Sequence, residues 1–196
     1  MAAKKEDRRT KYTKQAIKDS FLELLNKKRY TQITVTELCR LAEINRGTFY
    51  LHYYDLEDVL DDVLTEIISD TADVITHVTC AHKQKNGCTY PFCDKIHNNP
   101  QYHPFFLDDT ISSRIIEKLA DIYKEDYVTR LMSHSLLTFQ QAEAVFYFQM
   151  NGCLTINKLT LRNHCTDWKE IQSAIDGFIK AGMESFMIHD QRDEQL

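Results

Sequence analysis

The stretch Ile33-Thr34-Val35-Thr36-Glu37-Leu38-Cys39-Arg40-Leu41-Ala42-Glu43-Ile44-Asn45-Arg46-Gly47-Thr48-Phe49-Tyr50-Leu51-His52-Tyr53 decides how the rest of this chain is read. Thr34 and Glu37 have the T-x-x-E spacing of a capping box, in which each side chain satisfies a backbone N–H left free where a helix starts. A helix therefore opens there and runs through Leu38, Leu41 and Ala42. Asn45 is placed to cap a second, very short helix, Arg46-Gly47-Thr48-Phe49-Tyr50. Only Glu43-Ile44-Asn45 separates the two. A helix, a three-residue turn and a second helix make the helix-turn-helix arrangement.

The second helix has the chemistry of a groove lined with phosphates. Gly47 has no side chain, so a sugar–phosphate strand can approach the backbone closely. Thr48 supplies a hydroxyl and Arg46 a fork for phosphate or guanine, while Tyr50, His52 and Tyr53 are rings ending in polar atoms. Phe49 reads as the apolar pin against the preceding helix. For Tyr50 and Tyr53, direct contact and burial with only the hydroxyl exposed are both open.

Upstream, Ile17, Phe21, Leu24 and Leu25 recur at helical spacing, with Thr13 as N-cap and the helix reaching about Lys27. Arg29-Tyr30-Thr31-Gln32-Ile33 is then a short connection. Downstream, Leu56, Val59, Leu60, Val63, Ile67, Ile68 and Val74-Ile75 continue at three-to-four spacing and predict one long helix from about Asp55 to Val78.

Over residues 10 to 65 this pattern resembles the DNA-binding segment of the tetracycline-repressor (TetR/AcrR) family. The resemblance implies an all-α fold: an N-terminal three-helix helix-turn-helix domain, then an α-helical ligand-binding and dimerisation domain. It also implies a homodimeric transcriptional regulator, usually a repressor, that leaves its double-stranded DNA operator when a small molecule binds the second domain. Carried over by position, the DNA-contacting residues are Thr36, Arg46, Gly47, Thr48, Tyr50, His52 and Tyr53. Two positions depart from the family pattern. Leu51 stands where a basic residue is common, and Leu56 stands where a lysine usually meets phosphate, amid Asp55, Glu57 and Asp58. Acidic residues suit a helix N-terminus but repel phosphate. The basic residues Lys4, Lys5, Arg8, Arg9 and Lys11 form an arm that can compensate.

Composition agrees with a helical, two-part chain. The 196 residues are 43% hydrophobic and 27% charged, as in an ordinary globular protein, and 5 Gly with 3 Pro leave too little punctuation for a sandwich or barrel. The net charge of −5 hides an uneven distribution. Residues 1–54 carry 12 Lys and Arg against 6 Asp and Glu, whereas residues 55–196 carry 12 against 23. We accordingly expect a DNA-binding domain over 1–54 and a helical effector-binding and dimerisation domain over 55–196. No run approaches the ~20 apolar residues of a membrane span, and the start of the chain lacks the apolar core of a signal peptide. These features point to the cytoplasm and no membrane partner, with the 6 Cys as reduced thiols or metal ligands.

Residues 80–104 interrupt the periodicity. Cys80, Cys88, Cys93 and His97 raise a zinc site, but no C-x-x-C pair occurs, and ordinary cysteines or a redox-sensing thiol fit the spacing as well. The reading therefore takes no metal and no cofactor. After Asp108-Asp109-Thr110 a helix is expected through Ile115, Ile116, Leu119, Ile122 and Tyr123, ending at Ser133-His134-Ser135. The T-x-x-Q box at Thr138 and Gln141 opens a long helix to about residue 161, and a last one covers about 166–188. Both have apolar residues on more than one face, as a homodimer interface through these last two helices would require. The aromatic-rich body suits an apolar or aromatic ligand, with His103, Phe106, Tyr123, Phe146, Gln149 and Asn157 as candidate pocket residues. Enzyme motifs are missing: there is no G-x-G-x-x-G, G-x-x-x-x-G-K-[ST], H-E-x-x-H or G-x-S-x-G, so no catalytic residue is expected. The alternative is a TetR-like interaction module that binds a partner protein rather than DNA, a reading that Leu51, Leu56 and the acidic residues beside them favour.

Overall fold

The computed structural model of the chain describes residues 8–69 and 91–188. Helix α1, Arg8–Leu25, buries Ile17, Phe21, Leu22, Leu24 and Leu25 along one face. It is already helical at Arg8, more than a turn before the start that the sequence suggests. Thr13 is not its cap but an interior residue whose hydroxyl donates back to the Arg9 carbonyl at 3.0 Å. Arg8, Arg9 and Lys11 thus belong to the first helical turns rather than to an arm, and Lys4 and Lys5 lie outside the described residues. After a 3₁₀ turn at Tyr30–Gln32 come α2 (Val35–Leu41), α3 (Arg46–Tyr50) and α4 (Leu56–Ser69). The expected run of α4 to Val78 falls outside the described residues.

Helix α4 is the axis of the fold. Val59, Leu60, Val63, Leu64, Ile67 and Ile68 are all buried, so it is covered on more than one side. It packs on α1 and on the long helix α7, Ser112–Ser133. Between them the chain makes α5 (Pro91–Asn98), a 3₁₀ turn at Pro100–Tyr102, α6 (His103–Leu107) and a second turn at Asp109–Ile111. Part of the stretch that breaks the sequence periodicity is therefore helical, in pieces too short to show a repeat. Proline opens or nearly opens three of these pieces, where its missing N–H costs nothing.

Helix α7 and the next helix, α8 (Phe139–Arg162), form the main helix pair of the body. The capping box at the start of α8 is formed as expected, with Thr138 and Gln141 each satisfying the other's backbone. Helix α9, Trp168–Glu184, follows. Its end is tied back where the Ile188 N–H donates to the His134 carbonyl at 3.0 Å. The apolar interior is continuous from Ile17 of α1 to Met183 of α9. No helix among the described residues is long and apolar enough to cross a membrane.

Candidate nucleic-acid interface

The helix-turn-helix is held by local bonds that the sequence dictates. The Thr34 hydroxyl accepts from the Glu37 N–H, and the Glu37 carboxylate accepts from the Thr34 N–H at 3.2 Å. Lys28 donates to Glu37 at 2.6 Å, and this bond with those from Thr34 holds the carboxyl below its ordinary pKa. Helix α2 ends in a Schellman motif: the Ile44 N–H reaches the Cys39 carbonyl at 3.0 Å, and the Glu43 N–H reaches that of Arg40. The motif needs a left-handed residue, and Glu43 takes that role at φ 54°. A side chain there costs about 1–2 kcal/mol relative to glycine.

Asn45 then caps α3. Its Oδ1 accepts from the Thr48 N–H at 2.7 Å and from the Thr48 hydroxyl at 3.1 Å. Phe49 is fully buried and meets Tyr50 edge-on at 5.3 Å and Tyr53 at 6.0 Å. A five-residue helix has no stability of its own, so this cap keeps α3 wound and this pin helps to hold it to the domain.

The sequence-predicted residues divide into two sets. Thr36, Arg46, Gly47 and Tyr50 are exposed, and Thr48 and His52 are half-exposed. The Arg46 guanidinium donates to the Tyr50 hydroxyl at 3.1 Å and lies 5.8 Å from that ring's centre, so the two side chains form one prepared unit. Tyr53 is different: its ring is 5% exposed and its hydroxyl donates to Asp62 of α4 at 2.6 Å. It fastens α3 to α4. Lys14 of α1 also reaches Asp62, at 3.8 Å, so one carboxylate gathers three helices.

Charged residues join this head to the body. Arg114 of α7 contacts Glu57 at 3.2 Å and Asp61 at 3.4 Å on α4, and Lys118 reaches Asp61 at 3.2 Å. The Asp108 carboxylate accepts from the Tyr30 N–H at 2.6 Å. Glu57, which belongs to the acidic run the sequence reading treats as unfavourable to phosphate, and Asp61 one turn on thus have partners inside the fold. Their cationic partners are about 50 to 60 positions away in sequence, so no local pattern shows the pairing.

In the body, Phe106 and Phe146 are core residues at 0% and 1% exposure. Tyr123 is buried with its hydroxyl on the Ile68 carbonyl at 2.8 Å, and His103 Nε2 lies 3.1 Å from the Ile96 carbonyl. Gln149 accepts from the Tyr127 hydroxyl at 2.5 Å, and Asn157 donates to the Cys153 carbonyl at 2.8 Å. Asn157 also lines a cavity of ≈ 30 Å³ with Cys153, Thr160, Gln172 and Asp176, beneath His97 and Trp168, whose rings stack at 4.1 Å. That space suits a water or two. Burial pushes the Cys153 thiol up to about 11, so it stays protonated at neutral pH. Of the zinc candidates, Cys80 and Cys88 lie outside the described residues, and His97 is turned to Trp168 and to the Thr160 hydroxyl at 3.1 Å. Among the described residues no three His, Cys, Asp or Glu side chains gather as metal ligands.

A short capped helix pinned behind a turn, on an axial helix that continues into an all-helical body, defines a helix-turn-helix protein of TetR-like fold. No protein-family model matches the chain. It is 38% identical over 76 residues to the uncharacterized HTH-type transcriptional regulator YxbF of Bacillus subtilis (strain 168), a stretch that is 38% of this chain but only 19% of that relative. Among solved structures it is similar to a protein from Syntrophomonas wolfei named for the TetR family of transcriptional regulators. That likeness has a TM-score of 0.58 at 16% identity, over 92% of this chain and 99% of the other. The dihydroxyacetone kinase operon activator DhaS matches at a TM-score of 0.46 and 17% identity, over 90% of this chain and 98% of that one. The helix-turn-helix read from the residues thus has a counterpart in sequence, and the TetR-like fold has one among solved structures.

Proposed function

We propose that the chain is a sequence-specific DNA-binding transcriptional regulator that works as a homodimer, with α3 as its recognition helix. The observation that carries this reading is the build of α3, capped by Asn45 and pinned by Phe49, with Arg46, Gly47 and Tyr50 exposed and Thr48 half-exposed. Arg46 is suited to guanine or phosphate, and Thr36, Thr48 and His52 to backbone oxygens. Two α3 helices would enter successive major grooves about 34–36 Å apart on a near-palindromic site. Tyr53 holds the recognition helix in place.

The apolar surface left on α8 and α9 supports the dimer. Phe148 is 69% exposed and Phe178 68% exposed, and they flank a groove between α8 and α9 that Ile156, Ile175 and Ile179 also line. Only Met183 of α9 is buried. A chain that leaves this much aromatic surface bare is covered by a partner, and a second copy of the same helix pair supplies a matching face.

We further propose that the regulator is a repressor released by a small apolar or aromatic molecule. The Asn157 cavity would have to widen for it, by movement of α9 or α5. The division at about residue 54 belongs to this reading as well, with α4 passing motion in the body to the head. The second reading, a module that binds protein instead of DNA, is favoured by Leu51 and Tyr54, which are 81% and 83% exposed.

Selection from a random-sequence duplex library with the full chain separates the two. Enrichment of a near-palindromic sequence, weakened at least tenfold by Arg46→Ala without loss of folding, supports the regulator. No enrichment at low salt overturns it and leaves the protein-binding reading.

A further inference from the structure

We infer that Leu51 is a base-reading residue, and that the operator half-site carries a thymine whose 5-methyl group packs against it. This inference rests on the regulator reading above. At about 100° per residue, Gly47 and Leu51 fall on the side of α3 opposite the buried Phe49. They are one turn apart, with the Leu51 N–H donating to the Gly47 carbonyl at 3.2 Å. A side chain at Gly47 would meet only the Asn45 Oδ1, at 3.2 Å, so the face that Gly47 shares with Leu51 is open to an approaching base. The two therefore make an apolar shelf, with Arg46 and Tyr50 along one edge and Thr48 along the other.

Leu51 is 81% exposed and adds nothing to the packed interior. An aliphatic side chain at the centre of a face whose neighbours are a guanidinium, a phenol and a hydroxyl is suited to one feature of the major groove. The polar groups displayed there donate or accept hydrogen bonds, and the thymine methyl is the one that projects apolar surface into the groove. Leu51 cannot bond to phosphate, so its contribution is sequence information, not general affinity. The adjoining Arg46–Tyr50 pair can meet a neighbouring guanine or phosphate.

Replacing thymine with uracil removes the methyl and leaves base pairing unchanged, which makes it the direct test. The full chain is bound to its enriched duplex, and each thymine of one half-site is changed to uracil in turn. One position weakens binding about fourfold, the loss expected for one buried methyl. In Leu51→Ala, exposed and free to fold, uracil and thymine at that position bind alike. If every uracil duplex binds the wild-type chain as tightly as the thymine duplex, Leu51 reads no methyl, although the regulator reading stands. If the chain enriches no sequence, both fall together.

Discussion

Replacing Phe49 with alanine tests whether α3 is held to the domain in the way described. The ring is fully buried and touches Tyr50 and Tyr53 at 5.3 and 6.0 Å. Truncating such a residue removes its transfer free energy and leaves a cavity, together about 3–5 kcal/mol. Native stability is only ~5–15 kcal/mol, so the loss is a large share of it. In a domain of this size about 2–4 °C is lost per kcal/mol, which predicts a melting point lower by ~6–20 °C. The assay is a far-UV circular dichroism melt, paired with binding to the enriched duplex below the transition. Tyr50→Ala is the contrast. Tyr50 is half exposed, so its loss shifts stability by less than about 1 kcal/mol while binding weakens. A Phe49→Ala protein that melts within about 3 °C of wild type would refute the pin.

Three further outcomes are expected. Glu43→Gly relieves the left-handed backbone that ends α2 and raises stability by about 1 kcal/mol by urea denaturation; a loss of that size would mean the Glu43 side chain makes a contact the turn depends on. Phe148→Glu combined with Phe178→Glu yields a folded monomer by sedimentation equilibrium where the parent is a dimer; a charged double variant that still dimerises places the interface elsewhere. Asp108 is subject to burial, which raises its pKa, but the Tyr30 N–H and both the hydroxyl and N–H of Thr110 donate to it, and its pKa falls below the ordinary 3.8. A carboxyl depressed in the folded state adds stability that is complete above its ordinary value and is lost as pH falls through the folded one. Stability should therefore drop below about pH 4 in the wild type, and less steeply in Asp108→Asn, as read from urea midpoints across that range.

The head was legible because its signals are local. Thr34–Glu37, Asn45 and Thr138–Gln141 act over three residues, and each cap forms where the spacing places it. Thr13 misled because a threonine bonding back to the turn before it looks, in sequence, like one that opens a helix. The close of α2 left no glycine to read, since Glu43 occupies the left-handed position itself. His164, at φ 49°, does the same at the end of α8. The short helices of residues 91–107 are below the length at which periodicity appears. Of the candidate site, Arg46, Gly47, Thr48 and Tyr50 come from their own chemistry and from the family resemblance, and the burial of Phe49 leaves them the rest of the helix circumference. The role of Tyr53 depends on Asp62, and that of Asp61 on Arg114 and Lys118; these tertiary partners leave no mark near them in the chain.

The central claim, that α3 reads DNA sequence, meets its most direct test in a salt titration of binding to the enriched duplex and to a duplex of the same bases in shuffled order. Phosphate contacts release counterions, so the logarithm of both affinities falls linearly with the logarithm of salt concentration. The account predicts that the enriched duplex stays at least tenfold tighter throughout, and that Arg46→Ala narrows the gap. Equal affinity for the two duplexes at every salt concentration would contradict it.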